Sequence, residues 1–366
     1  MRIGVGSIGW GILGTGERAA QMVNEAIRQQ PPVAPDTAGS WVVGVYSHSE
    51  QRAHSFAHDC YLPHSFSNLA DLLQRREIDC VYIASHPRHH FPLTMAALAA
   101  GKHVLCETPM ALTLEEAQTM QLAAAHRGLL LGVGHPLRAD PAIRQLQHLL
   151  ADGTIGDLLG GRFSNTTPLT GHQQSWRLQD TAGGVLRNRT PHAVDLLRYL
   201  LHDEVAAVYA CSTQQMLGEG DKRARDEDVQ SLITLRRSKL TFQLHDSFLI
   251  PHIPTTLALY GSRGTLQIDH WADRARPSRL WLIENHRPTP LPIDTGHTPD
   301  SRSDSADRQL IFAFIQALRL YASARESGEA TVLAPATAGI KSLQVALAAQ
   351  QSLQAGHIVQ LTNRDN

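Results

Sequence analysis

The stretch Gly11-Ile-Leu-Gly14-Thr15-Gly16-Glu-Arg-Ala19-Ala20 has the residue types and spacing to bind a pyrophosphate. Gly14 and Gly16 permit a tight turn and a close backbone approach, and the small Ala19 lets a following helix pack on the preceding strand. The amide groups at the start of that helix then face the anion, so Gly14, Thr15 and Gly16 form a candidate cofactor-binding turn. Gly4-Val-Gly6-Ser-Ile-Gly9 has similar spacing, but three residues precede it and it runs into Trp10-Gly-Ile-Leu13 rather than a helix. A second chemical signal follows Trp41-Val-Val-Gly-Val-Tyr46, whose tip reads Ser47-His48-Ser49-Glu50-Gln51-Arg52. An NAD-preferring unit carries a carboxylate at the first positions here, to bind the ribose hydroxyls. Ser47, Ser49 and Arg52 can instead bind a phosphate, so NADP is the preferred cofactor and NAD the possible one, with Glu50 weighing against the phosphate. Ser49 also suits a helix N-cap.

These residues need a parallel sheet to position them. Apolar strands and helices alternate through Gln51–Cys60, His64–Phe66, Asn68–Arg75, Asp79–Ala84 and Leu93–Ala100, as in a doubly wound sheet covered on both faces. Ser85-His86-Pro87-Arg88-His89-His90 follows a central strand at its carboxyl end, where ligands of such sheets collect, and Ser85 and His90 join the cofactor candidates. Lys102–Pro109 reads as a buried strand, and Thr113 with Glu116 as a capping box. From Gly160 the pattern changes to strands at Gly161–Asn165, Val205–Ser212, Val229–Leu235, Thr241–Leu249, Thr256–Tyr260 and Thr265–Asp269. Residues Trp271–Asp307, rich in Pro, Arg, His and Ser, read as a mobile excursion. Helices are expected over Ser305–Arg325 and Thr337–Ala355, closing the chain onto the nucleotide domain.

The chain has 366 residues and a net charge of -1, which implies two domains and no basic surface for nucleic acid or anionic lipid. Four cysteines lie far apart without CxxC, and 20 histidines are scattered without HExxH, so neither a disulfide framework nor a metal site is expected. No run of about 18 apolar residues could span a bilayer. With no signal-peptide pattern at the N-terminus, a cytoplasmic protein with a small-molecule substrate is the expectation.

Several segments then agree, in order, with one family. Gly101-Lys-His-Val-Leu-Cys-Glu107-Thr108-Pro109 resembles the Glu-Lys-Pro segment of the glucose-fructose oxidoreductase and inositol dehydrogenase (Gfo/Idh/MocA) family. Gly132–Pro141 resembles that family's last nucleotide-domain strand and crossover. Ser175-Trp176-Arg177-Leu178 and Gly183–Asp195 resemble its site segments, and His245–His252 with Thr255–Leu266 resembles the anhydrofructose reductase branch. The resemblance implies a Rossmann domain over residues 1–135 and, over 136–366, an α/β domain on a large open, mainly antiparallel sheet. It also implies a homodimer or homotetramer formed through that sheet's open face.

The resemblance implies a hydride-transferring oxidoreductase in which the lysine of Glu-Lys-Pro and a downstream Asp-x-x-x-His pair route the proton. By position, that lysine is Thr108 here, the aspartate is Asn188, and His192 is retained. A threonine hydroxyl does not titrate near neutrality. If a general acid contributes about 10² to 10⁴ in rate, losing it raises the barrier by roughly 3 to 5 kcal/mol. His192 can take the acid role, with an ordinary imidazole pKa of about 6.5, or an already protonated imine can accept hydride. Glu107, Trp176 and Arg177 are further cofactor candidates, Arg138 a substrate candidate and Pro109 a candidate cis turn. Each has a structural alternative: Glu107 balancing a cation, Trp176 and Arg177 packing, Arg138 solvated on a loop, His192 capping an apolar helix. Three activities stay open: an oxidoreductase acting on a sugar, polyol, ketone or imine, a silent NAD(P)-binding sensor or scaffold, and a lyase or hydrolase that recycles its nicotinamide.

Overall fold

Strand β1 (Ile8–Leu13) is buried along its whole length, as a central strand of a sheet covered on both faces must be. The computed structural model describes residues 7–27, 39–169, 177–178, 182–212, 226–271, 276–293, 306–322 and 332–362. After β1 come α1 (Glu17–Gln21), continued by a π-helical turn over Met22–Ala26, then β2 (Ser40–Tyr46), α2 (Glu50–Asp59), β3 (His64–Phe66) and α3 (Leu69–Leu73). Then follow β4 (Cys80–Ile83), α4 (His90–Ala99), β5 (His103–Cys106), α5 (Leu114–His126) and β6 (Leu131–Val133). Of the earlier glycine cluster, Gly9 lies inside β1 rather than in a strand-to-helix turn, and Gly4 and Gly6 lie outside the described residues. The local signals act as their chemistry requires. Ser49 accepts a hydrogen bond from the Arg52 amide as N-cap of α2, and Thr113 and Glu116 close a reciprocal capping box on α5.

The chain continues through α6 (Pro141–Ala151), β7 (Leu158–Thr166), α7 (Val185–Asn188), α8 (Thr190–Leu201), β8 (Val205–Ser212), β9 (Asp228–Leu235), β10 (Thr241–Ser247), β11 (Thr256–Gly261) and β12 (Thr265–Asp269). A hairpin, β13 (Arg279–Glu284) and β14 (Arg287–Leu291), corrects the expectation of a mobile excursion for that part of Trp271–Asp307, while residues 272–275 and 294–305 lie outside the described residues. Pro288 and Pro290 masked it in the sequence. They are tolerated because β14 ends the sheet, where a missing amide donor leaves no ladder bond broken. The chain ends with α9 (Ala306–Ala322), β15 (Ala334–Pro335), α10 (Ala336–Ala355) and β16 (Val359–Gln360).

Two compact units result: residues 1–139 with 297–340, and residues 140–296 with 341–366. The first holds a seven-stranded sheet in the order β15-β6-β5-β4-β1-β2-β3, parallel except for β15. The second holds nine strands in the order β14-β13-β12-β11-β7-β10-β9-β8-β16, antiparallel except for β7 against β10. This division differs from a single cut after residue 135, because α9 returns to the first unit. Leu310, Ile311, Phe314, Ile315 and Leu318 of α9 join the core of Trp10, Ile12, Met22 and Val23, each burial being worth roughly 1.5–3 kcal/mol. Trp10 meets Phe314 with ring centroids 5.3 Å apart. Helix α10 divides instead of closing onto the nucleotide unit as a whole. Gly339 packs by Met110 and Val133, whereas Ser352 Oγ accepts the Ala210 amide of the second unit at 3.0 Å.

Candidate functional site

In the first unit, the turn after β1 approaches the end of β4 so closely that only glycine fits. Gly14 has φ +123°, and a Cβ there would meet Ala84 O at 2.7 Å and the Ser85 amide nitrogen at 2.8 Å. Its amide donates to Tyr46 O of β2 at 3.0 Å, so Gly14–Gly16 sits over the ends of three adjacent strands. Gly16 is the N-cap of α1, and a Cβ there would have nothing within 4 Å. A tight turn with open space at a helix start fits a pyrophosphate. At the tip of β2, Ser47 is buried and its Oγ accepts from the Ser49 amide at 3.4 Å. The Arg52 guanidinium reaches His48 Nε2 at 2.6 Å.

The peptide bond between Thr108 and Pro109 is cis. His90 secures this segment from below: one ring nitrogen lies 2.8 Å from Pro109 O and the other 3.0 Å from Ser85 O. Burial lowers its pKa, opposed by both carbonyls. Glu107 balances a cation, Arg18, whose Nε donates to Oε1 at 2.7 Å. The two terminal nitrogens of Arg18 donate to both oxygens of Asp307 at 2.6 and 2.7 Å. Tyr82 OH donates to the same Glu107 oxygen. Burial opposes the Arg18 charge, but Glu107, Tyr82 and Asp307 together hold its pKa above the ordinary value. Arg18, Tyr82 and Asp307 escaped sequence reasoning, since Arg18 occupies a filler position of the glycine motif and Asp307 follows 289 residues later. Arg138 is not on a solvated loop; it is 7% exposed in a 3-10 turn over Pro136–Ala139.

In the second unit, Asn188 ends α7 and His192 lies in the first turn of α8. The Asn188 side-chain amide donates to Gly184 O at 2.7 Å. Gly184 has φ +86°, and a Cβ there would lie 1.9 Å from Asp226 Oδ1, so glycine lets the Asp226 carboxyl close over the start of α7. The Leu186 amide donates to Asp226 Oδ2 at 3.1 Å. Burial nevertheless pushes Asp226 up to about 7. His192 is half-buried. Arg177 accepts the Gly184 amide on its carbonyl at 2.8 Å, and Trp176 lies outside the described residues. Among the described residues no three metal-ligating side chains converge, and no helix is long and apolar enough to cross a membrane.

Residues 4–135 match the model of the oxidoreductase family with an NAD-binding Rossmann fold, and residues 143–267 match the GFO/IDH/MocA C-terminal domain. The chain belongs to the GFO/IDH/MocA oxidoreductase family. It is 33% identical to a 1,5-anhydro-D-fructose reductase of Ensifer adhaerens over 70% of this chain and 74% of that one. Its fold superposes on an aldose-aldose oxidoreductase from Caulobacter crescentus crystallised with glycerol, with TM-score 0.79 and 21% identity over 97% of this chain and 100% of that one. An inositol dehydrogenase homologue from Azotobacter vinelandii, solved with NADH and myo-inositol, gives TM-score 0.79 and 18% identity over 97% and 98%. The chain is thus an oxidoreductase of this family with an NAD-binding Rossmann unit, and its relatives bind small molecules.

Proposed function

We propose that this family member is an NADP-preferring oxidoreductase that transfers hydride to or from a small polar sugar, polyol, ketone or imine, with His192 carrying the proton. The support is the chemistry of three positions. Thr108 and Asn188 do not exchange protons near neutral pH, whereas an imidazole does. Gly14, Thr15 and Gly16 would hold the pyrophosphate, and Ser47, Ser49 and Arg52 the ribose phosphate. Ser85, Glu107, Trp176 and Arg177 would complete the cofactor's surroundings, and Arg138 would contact the substrate. When bound, the nicotinamide supplies or accepts the hydride. Thr108 and Asn188 orient the substrate hydroxyl or carbonyl, and His192 gives up or takes the proton.

NADPH absorbance followed against a panel of sugars, ketones and imines tests this. Turnover that falls about 10²-fold or more in His192→Gln supports it, and no turnover by protein that binds cofactor counts against it. A silent NADP-binding sensor is the second reading, favoured by the Asn188 amide being turned back on Gly184 O. It requires that Thr108→Lys with Asn188→Asp gain activity where the parent has none. For assembly, we infer a homodimer or homotetramer through the open face of the second sheet, where Leu232 and Tyr260 are 49% and 39% exposed.

A further inference from the structure

Helix α8 starts on a buried acid that the proton route above does not use. Thr190 Oγ1 donates to Asp246 Oδ2 at 2.6 Å, with Thr190 fully buried and Asp246 2% exposed. His192 follows Thr190 by two residues in the same first turn. Asp246 lies on β10, opposite Asn165 of β7, so the two side chains share a sheet face. Asn165 is 2% exposed, and its Oδ1 accepts no hydrogen bond from the described residues. An ionised Asp246 is acceptor-only, so with it this sheet face would hold a buried anion as well as that unused acceptor. A neutral Asp246 removes the anion and has one O–H to donate.

We propose that Asp246, acting through Thr190, is a positioning residue for His192, and that it does so as the neutral acid. The proposal rests on the reading of His192 as the proton-carrying group. Burial pushes the Asp246 carboxyl up to about 7, against the Thr190 hydrogen bond and the charge of Arg189 at the start of α8, both of which favour ionisation. From β9, Asp246 is paired with the uncharged Val229. Asp228 and His245 pair with each other at 3.2 Å through side chains from positions alternate to it, on the other sheet face.

Infrared difference spectra of parent against Asp246→Asn test the neutral acid without reference to activity. A carboxylic-acid carbonyl band, sensitive to deuterium exchange, should be present at about pH 6 and lost well above pH 7. Thr190→Val should then shift the His192 side-chain resonance, assigned by its loss in His192→Gln. It should also lower kcat about tenfold with KM unchanged, and Thr190→Ser should restore both. Absence of the acid band overturns the proposal, as does a His192 resonance that Thr190→Val leaves unmoved. If the protein turns over no substrate, the function reading fails on its own, while the band and the resonance still decide this one.

Discussion

In the first unit Glu107 and Asp307 converge on one guanidinium, Arg18, with contacts of 2.6 to 2.7 Å. In the second, Asp226 and Asp246 lie within hydrogen-bond reach of a Leu186 amide and a Thr190 hydroxyl, and burial pushes each up to about 7. A bidentate guanidinium recovers much of the desolvation cost of a buried carboxylate, whereas one hydroxyl does not. The nucleotide unit therefore keeps its two carboxyls clamped on one guanidinium beside its glycine turn. In the His192 unit, burial moves Asp226 and Asp246 up toward neutral pH.

The largest effect should come from breaking the first arrangement. Arg18→Met strands two carboxylates against a buried neighbourhood and should cost about 3–5 kcal/mol in urea unfolding. Arg18→Lys should recover part of it, because an ammonium cannot serve Glu107 and both Asp307 oxygens in one plane. The second arrangement predicts the opposite sign. An acid whose folded pKa lies above its unfolded value binds more protons when folded, so its contribution to stability is lost as pH rises from about 4 through about 7. For Asp246 the loss is on the order of 2–4 kcal/mol by pH 8, and Asp246→Asn should raise the thermal midpoint at pH 8 while changing little at pH 4. The smallest effect is an internal control in the same unit. Asp203 is buried, which works to raise its pKa, yet the Ser238, Arg237 and Glu204 amides bring it down to about 2. Asp203→Asn should lose stability at pH 6 and converge with the parent as the acid arm of the unfolding curve approaches about pH 2.

The parts legible in the sequence are those built from neighbours a few residues apart. The Ser49 cap, the Thr113–Glu116 box and the Thr108–Pro109 turn each act over fewer than five residues. Arg18 with Asp307 spans 289 residues and Thr190 with Asp246 spans 56. No local pattern marks such pairs, because folding chooses the partner. Asp246 falls in an alternating strand where an inward acid looks like a break in pattern, and it becomes informative only beside Asn165. The hairpin over Arg279–Leu291 was illegible because two prolines usually argue against a strand, and only its edge position admits them. Helix α9 was legible as a helix, but its return to the first unit depends on Phe314 meeting Trp10.

The proposed NADP dependence rests on the absence of a carboxylate at the first positions after β2 and on Arg52 beside His48. Calorimetric titration of the protein with NADPH and with NADH tests it most directly. The account predicts saturable heat with NADPH, at least about tenfold tighter than with NADH, and loss of that margin in Arg52→Glu. No heat with either coenzyme, or a preference for NADH that Arg52→Glu leaves unchanged, would contradict it.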